Sequence, residues 1–338
     1  MMAYATAPAR LIVTAETDPE WLAATRPGDA MIVLLANDAP IWGGVVTGRV
    51  RNGADNVDLT LTTIPGYWRR RFVGNETFAA VDQNVIVGTL ATNYGAFEGT
   101  PLIVDIAPSA FTRNRTYYDD DDKSLFDALS ELSGVENGPE WVVEWSVQDY
   151  GGQVAYWPVL VVRDRLGTTP NAGMDPESTW SFPGAIMKCT LTEDYSDGRG
   201  ANDIMAVSSA VENVRPQSAH ATVPGDDRIK WEDRFTPSTS IAEVSRLTSH
   251  ALAKLARISD GSRLVELPLI AESARPGVDY RIGDIVGIRI GASGESLPAY
   301  PDGGLIARAR VVGFRADPLG VETVTPFVTD LEVIRGRF

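Results

Sequence analysis

The stretch of sequence that decides the fold covers residues 26–64 and reads RPGDAMIVLLANDAPIWGGVVTGRVRNGADNVDLTLTTI. Its apolar, β-branched runs at 31–35, 42–50 and 57–64 are separated by turn residues, first NDAP and then RNG. Short runs of this kind predict the strands of an antiparallel sheet or barrel. A further apolar run at 85–87 extends the pattern, so we expect the first domain to be mostly β.

A Gly-Asp pair in front of an apolar strand occurs twice in the chain. Gly28 and Asp29 stand before the first run of this stretch, and Gly283 and Asp284 stand before a similar run near the C-terminus. Each pair is followed downstream by a related motif, GVVTGR and then RVVGFR. The repeat predicts two related β domains. The alternative is that the four residues are turn formers alone, since Gly-Asp before a strand is common turn chemistry.

The middle of the chain combines a helix with a hairpin. Apolar residues recur at helical spacing after Ser124, which can cap a helix that Gly134 ends. A hairpin follows, with strands at 141–147 and 154–162 around a turn at 149–152. These residues predict a separate α+β domain.

The remaining pattern completes the expected architecture. A second amphipathic helix is predicted at 241–258, with caps at 237–240 and Gly261 after its end, and strand-like residues follow to 333. The predicted fold is mainly β with an α+β insertion: two barrel-like β domains related by internal duplication, a middle α+β domain, and one amphipathic helix before the second barrel. The expected segments are a first barrel at 1–107, the α+β domain at 108–185, connecting strands and the helix at 186–262, and a second barrel at 263–338.

The charge and composition exclude several classes of protein. The chain has 338 residues, with 45 acidic and 30 basic side chains, for a formal net charge of -15. Binding to nucleic acid or to an anionic membrane would therefore need a local basic patch. A single cysteine, Cys189, excludes an internal disulfide framework. We see no targeting segment and no apolar run long enough to cross a bilayer, and expect no membrane insertion.

The usual motifs of catalysis and cofactor binding are missing from the sequence. There is no phosphate-binding loop or dinucleotide fingerprint. His220 and His250 are the two histidines, and we interpret both as surface residues, so neither a metal cluster nor a catalytic triad is expected. The run of four aspartates at 119–122 is interpreted as a solvated helix entry and not as a cation site. We therefore expect no cofactor, no metal and no enzymatic activity.

One cluster is typical of a sugar site. Glu140, Trp141, Glu144 and Trp145 place two acids among aromatic side chains, and glycoside hydrolysis needs two carboxylates beside a sugar ring. The alternative is a hairpin whose aromatic residues form a packed face.

A second cluster is typical of a subunit contact. Trp68, Arg69, Arg70 and Arg71 form the basic-aromatic cluster of the sequence, and arginine suits a packed polar interface. The alternative is an exposed strand end with a solvated face.

The order of several short motifs resembles that of the minor tail or tail-hub proteins of actinobacterial siphophages, which have long, non-contractile tails. The motifs are APIWGGVV at 39–46, GYWRRR at 66–71 and YRIGDIV at 280–286. The resemblance covers most of the chain. That family is similar in turn to the baseplate hub protein of contractile-tailed phages, whose fold carries two related β-barrels per chain.

The resemblance implies a structural virion protein at the tail tip, assembled in the host cytoplasm. A homotrimer with two barrels per chain would present six barrels, and could join a sixfold tail tube to a threefold tip around the channel for DNA ejection. The implied partners are the tail tube or distal tail protein, the tape measure protein and other tail-tip proteins, with DNA only in passage. Because the chain stops soon after the second β domain, we expect a hub without lytic activity.

Two other functions stay open from the sequence. The first is a carbohydrate-binding or glycan-hydrolysing protein that recognises cell walls through the 140–157 hairpin. The second is a β-rich assembly adaptor outside phages.

Overall fold

The computed structural model describes residues 5–36, 38–97, 100–170, 174–196, 198–208, 215–237, 243–259, 261–291, 304–317 and 323–335. The chain forms two compact units. Unit 1 comprises Met1–Thr169 and Arg275–Asp284, and unit 2 comprises Pro170–Ala274 and Ile285–Phe338.

Unit 1 contains nine strands and four helices among its described residues. In chain order these are β1 (Thr6–Ile12), α1 (Trp21–Ala24), β2 (Met31–Ala36), β3 (Ala39–Asn52), β4 (Asn56–Thr63), α2 (Ile64–Trp68), β5 (Glu76–Asp82), α3 (Gln83–Tyr94), β6 (Ile103–Ile106), β7 (Thr112–Tyr117), α4 (Leu125–Ser133), β8 (Glu140–Tyr150) and β9 (Gln153–Arg163).

The first sheet of unit 1 is antiparallel, with the order β1-β4-β3-β2, and is curled into a half-barrel. One of its faces is apolar at alternate positions, where Val46, Val57, Leu59 and Leu61 form the centre of a buried cluster. Successive side chains of a strand point to opposite faces, so this alternation is what a sheet with one buried face requires. The predicted meander is confirmed.

The opposite face of the same sheet carries a layer of helices and a second sheet, in the order β6-β9-β8. Trp68 and Trp141 are fully buried in the core of this layer, and their ring centroids lie 5.8 Å apart. Val45 of strand β3 belongs to the same core. One hydrophobic core therefore joins the first sheet to the α4 helix and the β8–β9 hairpin.

This division differs from the four segments expected from the sequence. No break falls near residue 107, because the hairpin residues and the first sheet bury their apolar faces against each other. The run at 85–87 lies in helix α3 and not in a strand. The Asp82 carboxylate accepts hydrogen bonds from the backbone N–H groups of Asn84 and Val85, which caps that helix.

Unit 2 contains ten strands and one helix among its described residues. These are β10 (Thr179–Phe182), β11 (Thr190–Asp194), β12 (Asp203–Ala206), β13 (Ala221–Thr222), β14 (Glu232–Phe235), α5 (Val244–Ile258), β15 (Ser262–Glu266), β16 (Leu269–Ile270), β17 (Ile285–Ile290), β18 (Leu305–Asp317) and β19 (Thr323–Arg335).

The main sheet of unit 2 has seven strands and is also a curled half-barrel. Six strands follow the order β10-β17-β18-β19-β15-β11, and β16 pairs with β19 beside them. Val286, Ile288 and Ile290 are buried at alternate positions of β17, so one face of this sheet is also packed.

A smaller sheet, in the order β13-β12-β14, packs against helix α5. The buried side of the helix consists of Leu247, Ala251, Leu255 and Ile258. The predicted amphipathic helix is therefore confirmed from residue 244, whereas its expected caps at 238–240 and Ile241 lie outside the described residues. Val244 and Leu252 of the same helix are more than half exposed.

The two half-barrel sheets repeat the same strand order. The order β1-β4-β3-β2 in unit 1 corresponds to β15-β19-β18-β17 in unit 2, and all of these neighbours are antiparallel. The long third strand of each copy also carries a bulge: it lies between Val46 and Gly48 in β3, and between Val311 and Gly313 in β18, where it is one of three register shifts. Bulges are usually kept within a fold family, so a bulge at the corresponding position of both copies supports their relationship.

The bulge corrects the alignment that the sequence motifs indicate. The sequence matches residues 44–49 to 310–315, whereas the bulge matches them to 309–314. Strand pairing agrees with the bulge. Val45 lies opposite Met31, the first residue of β2, and Arg310 lies opposite Ile285, the first residue of β17.

Candidate functional site

The basic-aromatic segment 68–71 divides between the core and the surface. Trp68 ends helix α2, its side chain is fully buried, and its indole Nε1 donates a hydrogen bond to the Gly95 carbonyl at 3.1 Å. The prediction of Trp68 as a contact residue is therefore wrong, because the helix turns its side chain into the core. Arg69 and Arg70 are exposed.

Arg71 is exposed but held in place. Its Nε donates a hydrogen bond to the Tyr94 carbonyl at 2.9 Å, and its guanidinium lies 5.9 Å from the centre of the Tyr67 ring. Phe72 follows with 55% of its surface exposed. The exposed residues of this segment are therefore Arg69, Arg70, Arg71 and Phe72.

The hairpin cluster does not have the geometry of a sugar site. Trp141 is 1% exposed, and its ring packs edge-on against Phe126 at 6.3 Å, so it offers no platform to a ligand. Glu140 and Glu144 lie on the opposite face of β8 from Trp141 and Trp145, because faces alternate along a strand. This arrangement fits the packed aromatic face of a hairpin, one of the two interpretations of the sequence, and not the sugar site, which needs acids and aromatic rings together.

The two acids are also separated and differently engaged. Four residues along a strand span about 13 Å, whereas paired glycosidase carboxylates lie about 5–9.5 Å apart. Glu140 accepts a hydrogen bond from the Leu166 backbone N–H at 2.7 Å, and therefore has a structural role. Glu144 differs from it: burial raises the pKa of Glu144, and the charge of Arg281 opposes that rise.

Trp145 is half-buried against the first sheet. A Cβ atom added to Gly43 of strand β3 would lie 2.3 Å from the Trp145 ring. Glycine at this position thus lets the hairpin approach the sheet closely.

The two Gly-Asp pairs have different surroundings. Gly28 has a φ of +82° with open space around it, and the Asp29 carboxylate lies 3.6 Å from the Arg26 guanidinium at the surface. Gly283 has a φ of +100° and crosses the chain at Leu166 and Gly167.

Asp284 fastens that second crossing. Its Oδ1 accepts hydrogen bonds from the Thr168 backbone N–H at 2.7 Å and from the Thr168 hydroxyl at 3.0 Å. Its Oδ2 accepts from the Arg281 backbone N–H at 2.7 Å. The second pair therefore also connects the segment at Thr168 with the segment at 281–284, both in unit 1. The sequence did not indicate this role.

A buried polar network at the start of helix α3 was also missed. Gln83 and Asn84 are fully buried, and their side-chain amides donate hydrogen bonds to the Asp164 carboxylate at 3.1 and 3.3 Å. Arg113 donates to the Gln83 side chain at 3.0 Å. The signal that could have revealed the helix was Asp82 in the capping position before Gln83.

Replacing Asp164 by asparagine is expected to cost about 2–3 kcal/mol of unfolding free energy at pH 7, because hydrogen bonds to a charged acceptor are among the stronger ones. Burial by itself raises the pKa of Asp164, but hydrogen bonds from Ser109, Gln83 and the Ala110 backbone outweigh it, so the pKa lies below its usual value. A carboxylate with a lowered pKa stabilises the folded state fully when the pH is above its unfolded-state pKa of about 3.9. This stabilisation is lost as the pH falls through the folded-state pKa.

Urea unfolding between pH 7 and pH 3 checks this prediction. The difference between wild type and Asp164→Asn should shrink below about pH 4. Glu16→Gln, at an exposed position, serves as the control and should stay within about 0.5 kcal/mol of wild type. A difference that persists unchanged at pH 3 would contradict the assigned role of the carboxylate.

The remaining clusters of polar groups among the described residues are ion pairs. Asp203 is buried, and its carboxylate lies 2.5 Å from His220 Nδ1 and 2.7 Å from Lys230 Nζ. Asp194 pairs with Arg199. Among the described residues there is no group of three or more metal-ligating side chains. No helix of the described chain is long and apolar enough to span a membrane.

Comparison with solved structures identifies the fold. The chain is similar to the tail protein from Neisseria meningitidis MC58, with a TM-score of 0.57 and 10% identity, over 89% of this chain and 83% of that one. It is also similar to the prophage MuSo2 43 kDa tail protein from Shewanella oneidensis, with a TM-score of 0.57 and 9% identity, over 96% of this chain and 89% of that one. No family model and no curated protein sequence matches the chain. The two half-barrel sheets and the layers packed on them thus form the fold of these tail proteins.

Proposed function

We propose that this protein is a structural component of a phage-type tail, and that it acts as a homotrimeric tail hub. The observation that carries the proposal is the repeat within one chain: two half-barrel sheets share one strand order and one bulge. Three copies would supply six such sheets. A ring built this way can match a sixfold tube on one side and a threefold tip on the other.

The likeness in fold supports the same proposal. Both solved structures described above are tail proteins, and the chain covers more than four fifths of each of them. The hub would lie at the virion tail tip of a siphophage after assembly in the host cytoplasm. Its partners would be the tail tube or distal tail protein, the tape measure protein and other tip proteins, and DNA would pass through the ring during ejection.

The proposed role is structural and not catalytic. Trp141 is buried, Trp145 packs against the first sheet, and Glu140 accepts a backbone hydrogen bond. We therefore do not propose a carbohydrate-active function. The exposed residues Arg69, Arg70 and Phe72 are proposed as a contact with a neighbouring tail protein.

The oligomeric state of the purified protein tests the hub. We expect light scattering to give three times the chain mass of 36.5 kDa, and negative-stain class averages to show a ring with pseudo-sixfold features. The trimer fraction should rise with protein concentration, because assembly follows mass action. A particle that stays monomeric at every concentration, and in the presence of tail-tube protein, would refute the hub.

A further inference from the structure

The two half-barrel sheets differ at their edges. In unit 2, strand β10 lies beyond β17 at one edge of the sheet, and strand β11 lies beyond β15 at the other. In unit 1, the strands that correspond to β17 and β15 are β2 and β1, and no described strand lies beyond either of them. The half-barrel sheet of unit 1 therefore ends in two edge strands whose outer sides pair with no strand of the described chain.

The hydrogen-bond pattern shows which backbone groups of β2 face outwards. The Val46 N–H donates to the Ala30 carbonyl at 2.9 Å, and these residues lie opposite each other, one step before the Met31–Val45 pair. Because bonded and non-bonded pairs alternate along an antiparallel ladder, the N–H and C=O groups of Met31 and Val33 point away from β3. Within the described ranges, no backbone hydrogen bond reaches these outward groups.

The corresponding groups of unit 2 are bonded. Met31 corresponds to Ile285 in the repeat, and Val33 therefore corresponds to Gly287. The Gly287 N–H donates a hydrogen bond to the Ser178 carbonyl at 2.8 Å, where the parallel pairing of β17 with β10 begins. In the copy where this edge is covered, a parallel strand thus covers it, and the Val33 N–H is the donor that such a strand would meet in unit 1.

The sequence of β2 leaves its edge unprotected, in contrast to β1. Residues 31–36, MIVLLA, contain no charge and no proline, and the side chains of Leu34 and Leu35 are more than a third exposed. Strand β1 carries Pro8, and proline on an edge strand opposes the addition of a further strand because it has no N–H to donate. An uncharged apolar edge such as β2 is the kind that pairs with another chain.

We propose that the outer edge of β2 in one copy of the chain binds strand β11 of a second copy, side by side and in parallel. This inference rests on the proposed trimer, because a closed ring needs a repeated contact between two different surfaces of adjacent copies. When half-barrel sheets follow one another head to tail, β2 meets the far end of the next sheet. That end is β1 where the next sheet belongs to unit 1, and β11 where it belongs to unit 2.

Strand direction and edge composition favour β11 over β1. Three antiparallel pairings separate β2 from β1, so these two strands run in opposite directions. The counterpart of β1 is β15, which pairs antiparallel with β11. In a head-to-tail ring β11 therefore runs parallel to β2, just as β10 runs parallel to β17. The outer side of β11 also pairs with no described strand, and the β1 edge contains Pro8.

Removing the outward N–H group tests the contact. We expect Val33→Pro to raise the concentration needed for half-maximal trimer formation by about tenfold or more, because proline lacks the donor and its ring hinders the approach of a strand. The melting temperature should stay within about 5 °C of wild type, because the Val33 N–H does not bond β3. Val33→Thr keeps the N–H and the branched shape of the side chain, and should assemble like wild type.

Cross-linking identifies the partner strand, and does not depend on the proline variant. In a Cys189→Ser background, Val33→Cys is combined with a cysteine substitution at each position of β11 in turn, and the thiols are joined by a short bismaleimide. We expect products of two and three chain masses on a denaturing gel for at least one position. Val33→Cys alone, and Val33→Cys with Thr6→Cys on β1, are the matched controls and should stay at one chain mass.

The outcomes separate this inference from the hub. A wild-type trimer that gives no cross-link to β11, or that a folded Val33→Pro variant leaves intact, would overturn the inference but not the hub. Cross-linking of Val33→Cys to itself would also overturn it, in favour of two β2 strands that pair with each other. Cross-linking to Thr6→Cys would overturn it in favour of β1. A wild type that stays monomeric at every concentration would overturn both proposals.

Discussion

Replacing Trp68 by alanine is expected to lower the unfolding free energy of unit 1 by about 3–5 kcal/mol, the usual cost of removing a buried aromatic side chain. Trp68 is fully buried, its ring contacts the Trp141 ring, and its indole hydrogen bond to the Gly95 carbonyl would also be lost. Urea unfolding followed by far-UV circular dichroism measures the change. Circular dichroism is chosen because the substitution removes a fluorophore.

Phe72→Ala is the matched control for Trp68→Ala. Phe72 is an aromatic residue four positions away, but 55% of its surface is exposed. Its replacement should change stability by no more than about 0.5 kcal/mol, as is usual for surface positions. If Trp68→Ala instead left stability unchanged and weakened trimer formation, Trp68 would be a contact residue after all.

Replacing Gly283 by alanine is expected to destabilise unit 1 by about 2–5 kcal/mol. The φ of +100° costs an L-residue about 1–2 kcal/mol. The new Cβ would in addition lie 2.5 Å from the backbone carbonyl carbon and oxygen of Leu166, so the chain must shift, and overpacking of this kind costs about 1–3 kcal/mol. The midpoint of urea unfolding measures the sum.

Gly28→Ala is the matched control for Gly283→Ala. Gly28 has a similar φ of +82°, but an added Cβ would meet nothing within 4 Å. We expect Gly28→Ala to lower the unfolding free energy only by the cost of the positive φ, about 1–2 kcal/mol. If both substitutions lowered the unfolding free energy equally, the close approach of Gly283 to Leu166 and Gly167 would add nothing to the cost of Gly283→Ala.

Some features of the fold could be predicted from local sequence. The helix from Leu125 to Ser133 was predicted with its ends, because the Ser124 hydroxyl accepts a hydrogen bond from the Asp127 backbone N–H and Gly134 follows the last turn. The β8–β9 hairpin was predicted because its alternation and its glycine turn are local signals. Both depend on residues that are close together in the chain.

Other features depend on contacts between distant residues. Residues 85–87 are apolar and β-branched, yet they form a helix, because the Asp82 cap and the buried network with Asp164 stabilise it. The three arginines that follow Trp68 predict a polar surface there, yet the Trp68 side chain lies in the core. In both cases packing between segments outweighs the local preference.

The candidate sites also depend partly on local sequence and partly on contacts between distant residues. The pairing of Glu140 and Glu144 with tryptophans was suggested by nearness in sequence, and strand alternation separated them onto two faces. Asp284 and Thr168 are 116 residues apart in the sequence, and the crossing of the chain brings them into hydrogen-bond contact.

The sequence by itself determined the β-rich class, the helix at 125–133, the hairpin and the repeat of Gly-Asp before a strand, because each is set by the periodicity or turn chemistry of a few consecutive residues. Tertiary structure alone decided the register of that repeat, the two-unit division, the buried position of Trp68 and the different surroundings of Gly28 and Gly283. The physical reason is that burial and backbone crossing depend on which distant segments meet, and no local pattern records that contact.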